Sequence, residues 1–568
     1  MSESPTAISE KPRSSAAARI GWAVLILATL YVCYFSHLGA IGFVGPDEPR
    51  YAWIARDMAE TGDWVTPRLY GKPWFEKPPL FYWGAALSFK LFGVSEAAAR
   101  LPSAISALLA TLALAWLALR LYGKETARWL LLLLPTSVGM IGFSHAAATD
   151  MPFSGMLTIA MVCAAIVLGL TRDEDSPILP RTPWFALILF GFFLGLAVLA
   201  KGPAAIILSG GAVFFWALFT KRWRDAFRLF HPAAIAAFCL TALPWYILCA
   251  RRNPDFFRIF IIEHNFKRFL TPEFQHIQPF WYYGLVLLVA VFPWTAIFLW
   301  TLLAGSFQLW RTRIVSHSTG FFLSWAMFCV AFFSISQSKL PGYILPAIPA
   351  LGLILARSCI SLAVRQHKSF GLVALGMGLL SICVFVQLGW TDTQLLAKFV
   401  AFRQMAFFVL LSLALPCTVL GAAFLRSSKL WVRSAALVLS IAPVLATFAN
   451  LTWFTVHAPI FIFSSNYLAK QIQVEKIPIK ELRVFGLKRS TLYGLNFYLH
   501  QEIPEWDRND AGDIYVLTAT RFVFCEGQPK EIACSDLWGN QERLDTFGLF
   551  RLTRRTLATG APSSGKLQ

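Results

Sequence analysis

Two short acidic motifs, each an aspartate followed two residues later by a proline, carry the clearest potential for chemistry in this sequence. They read Asp47-Glu-Pro and Asp150-Met-Pro. We expect each aspartate to cap a helix that holds the proline in its first turn. The positive end of a helix lowers the pKa of a carboxyl group, which keeps it anionic for binding a metal ion or an ammonium group. A cap alone would explain either motif. However, Asp150 is almost the only charge between residues 129 and 171, and a lone carboxylate in so apolar a region is costly without a partner. We therefore predict that Asp47 and Asp150 converge on one site.

Cationic and phenolic side chains recur near the same predicted boundary. An arginine offers a bidentate fork to an anion and a lysine offers a point charge, so such a set suits phosphate binding. Any single member could instead be a lysine or arginine that reaches the lipid headgroups. The candidate substrate-binding residues are Arg50, Lys77, Lys201, Lys339, Tyr82 and Tyr343.

A divalent metal is a further expectation from the residue types. Glu76 and His264 come from separate outer loops and could meet, although two ligands alone do not make a site. Asp47 and Asp150 could equally bind a hard cation. Zinc, magnesium and manganese all remain open.

Composition places these residues in a membrane protein. Of the 568 residues, 57% are hydrophobic and only 14% are charged, with a mean hydropathy of +0.58. No soluble domain of this size needs so much apolar surface. Basic cytoplasmic loops explain the formal net charge of +19. No basic run is interleaved with aromatic residues on a soluble module, which argues against nucleic-acid binding.

Thirteen apolar segments are long enough to span a bilayer, which takes about 20 residues. A further segment, 78–93, is short, begins with two prolines and carries Lys90, so we expect it to lie at the outer surface or to dip into the membrane. The predicted cytoplasmic loops then hold twenty basic residues and the opposite short loops hold four, as the positive-inside rule requires. The thirteen segments are 20–44, 99–121, 126–143, 151–171, 184–200, 203–220, 232–250, 280–304, 318–335, 340–357, 369–390, 405–425 and 432–455.

This topology defines a cytoplasmic tail at 1–19, a transmembrane domain at 20–455 and a soluble outer domain at 456–568. Long outer loops cover 45–98 and 251–279. In the first loop, apolar residues follow Pro49 at helical spacing, which indicates an amphipathic helix on the membrane surface. In the last domain, IPIKELRVFGL and DIYVLTATRFVF alternate as strands do, and STLYGLNFYLHQ between them is typical of a helix. A small α/β or α+β domain follows.

Eight of the ten cysteines lie within or near the apolar segments. Cys525 and Cys534 belong to the polar C-terminal region, and an oxidising exterior would allow them to form a disulfide. Two free thiols remain the alternative.

Seven motifs in order carry a resemblance to a known superfamily: GPDEPRYA, KPPLFYW, AARLPS, TDMPF, AKGP, EHNFKRF and SKLPGYILP. They resemble the polyprenyl-phosphate-dependent GT-C glycosyltransferases and are most similar to the bacterial aminoarabinose transferases that modify lipid A. The similarity covers residues 20 to about 360 well and weakens towards the C-terminus.

The resemblance implies a polytopic α-helical GT-C fold in the bacterial inner membrane, with the active site and the C-terminal domain in the periplasm. The donor would be undecaprenyl phosphate carrying 4-amino-4-deoxy-L-arabinose, and the acceptor a phosphate of lipid A, which gives resistance to polymyxin. Asp47 and Asp150 match the acidic residues of the superfamily. Arg50 and Lys77 fall where the lipid phosphate would be held. In-line displacement would invert the anomeric centre.

Three alternatives remain at the level of sequence. A related enzyme could transfer a hexose such as mannose to Ser or Thr of secreted proteins, or use another polyprenyl-phosphate sugar. A lipid transporter is disfavoured because the spans show no clear repeat and almost no ionisable residues for coupling. A purely structural membrane protein would not require acids and bases arranged on one face.

Overall fold

The computed structural model of the chain is largely helical within the residues that it describes. A two-stranded ribbon lies in the first outer loop and a four-stranded sheet lies near the C-terminal end. The described residues are 16–171, 183–267, 277–312, 316–364, 367–391, 414–449, 465–507, 513–519, 532–537 and 547–554.

Helices dominate the N-terminal half, and the ribbon strands β1 (Arg68–Leu69) and β2 (Lys72–Pro73) pair between the second and third helices. The helices are α1 (Ala16–Tyr34), α2 (Asp47–Thr61), α3 (Leu80–Phe92), α4 (Glu96–Tyr122), α5 (Lys124–Leu133), α6 (Val138–Ser144), α7 (Asp150–Val167), α8 (Trp184–Lys201), α9 (Ala204–Thr220), α10 (Trp223–Phe227) and α11 (Pro232–Arg252).

The second half of the membrane domain continues the helical pattern. Three-ten helices cover Arg228–Phe230 and Pro341–Ala347, and a π-helical segment covers Arg258–Lys267. The α-helices are α12 (Tyr282–Ala290), α13 (Thr295–Thr312), α14 (His317–Ile335), α15 (Ile348–Val364), α16 (Lys368–Thr391), α17 (Ala414–Arg426), α18 (Leu430–Leu439) and α19 (Ala442–Ala449).

Within the described ranges, six helical stretches are long and apolar enough to cross a membrane, or seven if α5 and α6, which are bent by 61°, form one span. Shorter apolar helices lie in the other predicted segments, so each of the thirteen segments contains a helix within the described residues. Large apolar side chains such as Phe185 (76% exposed), Leu240 (77%) and Met327 (64%) face outwards from these helices. An aqueous surface would not tolerate so many, whereas lipid tails do.

The central helix of the bundle is α7, which is buried along nearly its whole length. Close approach to its neighbours depends on small residues, as in other membrane helix pairs. A Cβ atom on Gly155 of α7 would lie 2.8 Å from the carbonyl oxygen of Ser106 in α4. Gly191 of α8 likewise faces the backbone of Ala234 in α11 at a distance that no side chain would allow. The N-terminus of α7, and therefore Asp150, is fixed by this packing.

The first outer loop forms the predicted amphipathic helix. The expected inward positions Tyr51, Ile54, Ala55 and Met58 are all at most 3% exposed. They share an apolar cluster with α3, which contributes Phe81, Tyr82, Ala85, Ala86 and Phe89. The 13 residues of α3 rise only about 20 Å, too little to cross a bilayer. Helix α3 therefore packs on the outer helix α2, in agreement with a segment that does not cross.

The predicted capping roles of the two aspartates are wrong. Helix α2 begins at Asp47 itself, with Pro46 at the capping position, and α7 begins at Asp150 after Thr149. Neither capping residue makes a side-chain capping bond. Each carboxylate is instead paired with a basic side chain, Asp47 with Arg50 and Asp150 with Lys201.

A buried ion pair between Glu48 and Arg100 ties the first outer loop to α4. Arg100 donates from Nε and Nη2 to the two carboxylate oxygens of Glu48 at 3.0 and 2.8 Å. Its remaining N–H groups donate to the carbonyl oxygens of Leu38, Ile41 and Gly42. Both side chains are less than 10% exposed. A charged pair so deeply buried stabilises a structure only when its hydrogen bonds are satisfied in this way.

The same carboxylate also reaches the segment before α7. Glu48 accepts hydrogen bonds from the backbone N–H groups of Val44 at 2.6 Å and Ala147 at 2.6 Å. Ala147 precedes Asp150 by three residues, and Glu48 follows Asp47 directly. One side chain thus fixes the backbone beside both predicted catalytic aspartates.

The C-terminal unit is a mixed four-stranded sheet with two helices. Its elements are α20 (Ser465–Val474), β3 (Leu482–Phe485), α21 (Arg489–Leu499), β4 (Ile514–Thr518), β5 (Ile532–Asp536) and β6 (Gly548–Arg554), and the strand order is β3-β4-β6-β5. Strands β3 and β4 are parallel, and the other two pairs are antiparallel. The two predicted strands and the helix between them are all present. The predicted domain boundary at 456 lies outside the described residues.

We predict that Glu48→Gln destabilises the protein strongly, because it leaves the Arg100 cation buried without a counter-charge. The expected loss is about 3 kcal/mol, the usual cost of breaking a buried pair. The apparent melting temperature of the purified protein in detergent measures it. Glu125→Gln is the matched control, since Glu125 forms an exposed pair with Arg128 at 2.6 Å and should cost about 1 kcal/mol or less. Equal effects of the two variants would contradict this role for Glu48.

Candidate active site

The two predicted acidic motifs lie in one electrostatic cluster. Burial is the main cause that raises the pKa of Asp47 above its ordinary value, and the negative charges of Glu76 and Asp150 raise it further. Arg50 and Lys77 lower the same pKa. Helices α2 and α7, which are about a hundred residues apart in sequence, therefore bring their first residues within electrostatic reach of each other.

Arg50 lies at the centre of this cluster. Its Nη2 atom lies 2.5 Å from Oδ1 of Asp47 and 2.9 Å from Oε2 of Glu76. The rings of Trp74 and Tyr493 lie 5.6 and 5.7 Å from its guanidinium carbon, within cation–π range. Only 13% of the side chain is exposed. Arg50 is thus a fixed cation, held by carboxylates and by aromatic faces.

Glu76 joins two of the predicted phosphate-binding cations. Its Oε2 atom pairs with Arg50, and its Oε1 atom lies 3.7 Å from Nζ of Lys77. Lys77 is 12% exposed and Glu76 is 9% exposed, so the group is largely shielded from solvent. This arrangement places a lysine and an arginine on either side of one anionic group.

Tyr82 presents a phenol to the same cluster. Burial raises its pKa far above the ordinary value, and Glu76 raises it as well, so the hydroxyl keeps its proton at any physiological pH. Among the described residues, this hydroxyl has no hydrogen-bond partner. A buried polar group usually has a partner, so the Tyr82 hydroxyl is well placed to donate to a bound ligand.

Asp150 forms a second polar group with residues from two other chain segments. Lys201 is the last residue of α8, and its Nζ atom lies 2.5 Å from Oδ1 of Asp150. The Lys201 ammonium also lies 4.7 Å above the ring of Tyr343, in the Pro341–Ala347 turn. Gly342 in that turn faces Asp150 so closely that a Cβ atom there would lie 2.5 Å from Oδ1. Asp150, Lys201 and Tyr343 therefore meet, as their predicted shared boundary requires.

Lys339 lies just before this turn and is only 7% exposed. Across the described part of the chain, its ammonium makes no hydrogen bond or ion pair with another side chain. A buried charge is costly unless an opposite charge accompanies it, so the position suits an anionic ligand.

The predicted metal pair does not form a recognisable metal centre. The Glu76 carboxylate is bound to Arg50 and Lys77, and His264 belongs to the π-helical segment Arg258–Lys267. Nowhere in the described ranges do three or more His, Cys, Asp or Glu side chains form a group that could hold a metal ion. The metal site at Glu76 and His264 stays a prediction.

The predicted disulfide is only partly visible. Cys534 in β5 is disulfide-bonded. Its predicted partner, Cys525, lies outside the described residues, so the identity of the pair stays a prediction.

Sequence reasoning missed two groups of residues that build this site. Glu48 and Arg100 stand inside the motifs GPDEPRYA and AARLPS, and an arginine in an apolar span is itself a signal of a buried partner. The second of these is Tyr493, whose ring packs on Arg50 from α21, more than four hundred residues away in the sequence. No local sequence pattern predicts that contact.

The fold and the sequence both resemble those of known proteins. The crystal structure of ArnT from Cupriavidus metallidurans bound to undecaprenyl phosphate superposes with a TM-score of 0.73 over 94% of this chain and 98% of that chain, at 23% identity. The family described as dolichyl-phosphate-mannose-protein mannosyltransferase matches residues 20–260. The fold is therefore that of the GT-C glycosyltransferases, as the motifs predict, and the chain is a helical membrane protein of this class.

The sequence relatives narrow the class further. An undecaprenyl phosphate-alpha-4-amino-4-deoxy-L-arabinose arabinosyl transferase from Edwardsiella ictaluri is 31% identical over 445 residues, which cover 75% of this chain and 76% of the relative. One of the same name from Erwinia tasmaniensis is 32% identical over 68% of this chain and 70% of its own length. The chain belongs to this family of arabinosyl transferases, and the resemblance seen in the motifs is confirmed.

We predict that Gly342→Ala lowers glycosyl transfer about 10²-fold, because the added methyl group displaces Asp150 from Lys201 and misplacements of this size are costly. Initial rates in membrane vesicles measure the effect. Gly142→Ala in the neighbouring helix α6 is the matched control, since nothing lies within 4 Å of a Cβ atom there. Wild-type rates for Gly342→Ala would show that the position of Asp150 is not critical.

A second prediction concerns pH. If transfer requires ionised Asp47, activity falls as pH drops through the pKa of Asp47, which burial raises above that of an ordinary aspartate. Glu76→Gln removes a negative charge that raises this pKa, so the acid limb of the pH–rate profile should move to lower pH. Glu60→Gln on the outer end of α2 should leave the limb in place. If the acid limb does not move in Glu76→Gln, it does not report the titration of Asp47.

Proposed function

We propose that this chain transfers 4-amino-4-deoxy-L-arabinose from undecaprenyl phosphate to a phosphate group of lipid A. The observation that carries the proposal is the cluster in which Arg50 and Lys77 flank Glu76 beside Asp47. Fixed cations next to a buried carboxylate suit a reaction in which a sugar leaves a lipid phosphate. The names of the sequence relatives supply the sugar and the lipid carrier.

The reaction breaks the bond between the anomeric carbon and the donor phosphate oxygen, and forms a bond from that carbon to an oxygen of the acceptor phosphate. Undecaprenyl phosphate departs with the electron pair and gains negative charge. Arg50 and Lys77 stabilise that charge as it develops, which is usually the largest single contribution to catalysis. Tyr82 adds a neutral hydrogen-bond donor beside them. Direct displacement inverts the anomeric centre.

The carboxylates serve the sugar rather than the acceptor oxygen. An acceptor phosphate is already anionic near neutral pH, so no strong general base is needed to activate it. Asp47 stabilises the positive charge that develops on the sugar ring or binds its ammonium group. Asp150 holds Lys201 beside Tyr343. Lys201 and Lys339 are the two cations that bind the acceptor phosphate.

Addition of the amino sugar explains the resistance phenotype proposed from the motifs. Each transfer masks one phosphate charge of lipid A and adds an ammonium group. A cationic peptide such as polymyxin then meets a less anionic surface and binds less tightly.

The same proposal includes the membrane topology. Thirteen crossings place the N-terminus in the cytoplasm, and they place the site and the C-terminal unit in the periplasm of the inner membrane. Support comes from the excess of basic residues in the loops at the other face. It also comes from where the contacts lie: Lys201 at the end of α8 meets Asp150 at the start of α7, whereas Tyr122, the last residue of α4, meets Arg357 within α15.

A protein acceptor is the second candidate function. The dolichyl-phosphate-mannose-protein mannosyltransferase family, which matches residues 20–260, favours it, because members of that family are named for a protein acceptor. A Ser or Thr hydroxyl would need a general base, and burial of Asp47 makes that carboxylate a better proton acceptor than an ordinary aspartate.

We predict that Asp47→Asn abolishes the modification of lipid A, with a loss of about 10²-fold or more, since charge stabilisation in the transition state is removed. Mass spectrometry of lipid A from cells that depend on the variant measures it. Asp57→Asn is the matched control: Asp57 lies on the same helix, but its charged neighbours are Arg68, Glu60 and Asp63. Unmodified lipid A together with glycosylated Ser or Thr on secreted proteins, in wild-type cells, would favour the protein acceptor.

A further inference from the structure

The C-terminal unit docks on the first outer loop through one face of α21. The Tyr498 hydroxyl accepts a hydrogen bond from the backbone N–H of Phe43 at 3.0 Å and donates to Glu96 at 2.9 Å. The Asn496 amide donates to the hydroxyl of Tyr70 at 2.9 Å. These contacts are specific and largely buried, so the position of α21 relative to α2 is well defined.

This docking brings one aromatic side chain of the C-terminal unit to the active-site cluster. The partly buried ring of Tyr493 lies 5.7 Å from the guanidinium carbon of Arg50. Trp74 and Tyr51 supply the other two rings, at 5.6 and 5.3 Å. Both of these belong to the first outer loop, whereas Tyr493 is supplied by a separate folded unit.

The cation that Tyr493 contacts is incompletely held by hydrogen bonds. Nη2 of Arg50 contacts the carboxylates of both Asp47 and Glu76. The Nε atom is also buried, but it has no hydrogen-bond acceptor among the described residues. The aromatic faces therefore contribute to fixing the plane of the guanidinium. A planar guanidinium stacks on rings in a way that a flexible ammonium does not.

We propose that Tyr493 is a positioning residue for Arg50, so that the C-terminal unit completes the site that binds the lipid phosphate. This inference rests on the proposed function, in which Arg50 stabilises the leaving phosphate. Removal of the ring lets Arg50 move away from Asp47 and Glu76. The expected consequences are weaker phosphate binding, slower transfer and a less effective Arg50 charge beside Asp47.

The test compares Tyr493→Ala with Tyr493→Phe in the full-length protein. Tyr493→Ala should lower kcat for transfer roughly tenfold and weaken binding of undecaprenyl phosphate, whereas Tyr493→Phe keeps the ring and should stay near wild type. The acid limb of the pH–rate profile should also move to higher pH in Tyr493→Ala, because Arg50 lowers the pKa of Asp47. A loss of folding stability alone would not shift that limb.

Tyr515→Ala is the matched control. Tyr515 stacks with Arg551 at 5.8 Å in the C-terminal sheet, an equivalent pair that is not part of the site. It should leave kcat, lipid binding and the pH profile unchanged. Wild-type kcat and an unmoved acid limb in Tyr493→Ala would overturn the inference, as would an equal loss in Tyr515→Ala. If wild-type protein itself fails to modify lipid A, the proposed function fails instead, and weaker binding of undecaprenyl phosphate by Tyr493→Ala would still support the contact.

Discussion

The ion pair between Glu48 and Arg100 is the interaction on which the site depends. In the low-dielectric interior neither charge is tolerable alone, so the pair can exist only with nearly every hydrogen bond made. The partners that make those bonds are backbone groups of the segment between α1 and α2 and of the segment before α7. The requirement to satisfy one buried arginine therefore fixes the backbone beside Asp47 and Asp150. The geometry of the proposed site follows from a structural constraint on the neighbours of Asp47 and Asp150.

A second constraint acts within the site itself. Arg50 and Lys77 would repel each other and scatter if no anion lay between them, and Glu76 provides that anion. A donor phosphate that enters must compete with Glu76 and Asp47 for the same cations. Such competition weakens binding of the ground state but leaves the cations oriented, which favours stabilisation of charge that appears only as the bond breaks. Asp150 and Lys201 repeat the arrangement on the other side.

Local patterns predicted what depends on local periodicity. The buried face of α2 and the strands of the C-terminal unit both follow from spacing along a few turns or alternating residues. The count of predicted spans puts Asp47 and Asp150 on the same face of the membrane, which predicts that they lie near each other. The partners of the two aspartates could not be found in this way. An aspartate at the start of a helix can either cap the helix or form an ion pair, and only the tertiary contact with Arg50 or Lys201 shows which of the two it does. The contact between Tyr493 and Arg50 joins residues 443 positions apart, for which the sequence carries no periodic signal.

The location of the site explains why its pieces come from so many segments. Ionisable groups are costly at the centre of a bilayer, so they collect where helices end. Asp150 begins α7, Lys201 ends α8 and Tyr343 lies in the turn before α15, so each crossing can contribute only one or two groups. A cluster large enough for catalysis must then be assembled from several crossings and from the outer helix α2. In the proposed topology, this depth is also where the phosphate of a membrane lipid lies. A lipid-linked sugar would then meet the site without its chain leaving the bilayer, and the C-terminal unit would close the side that the membrane leaves open.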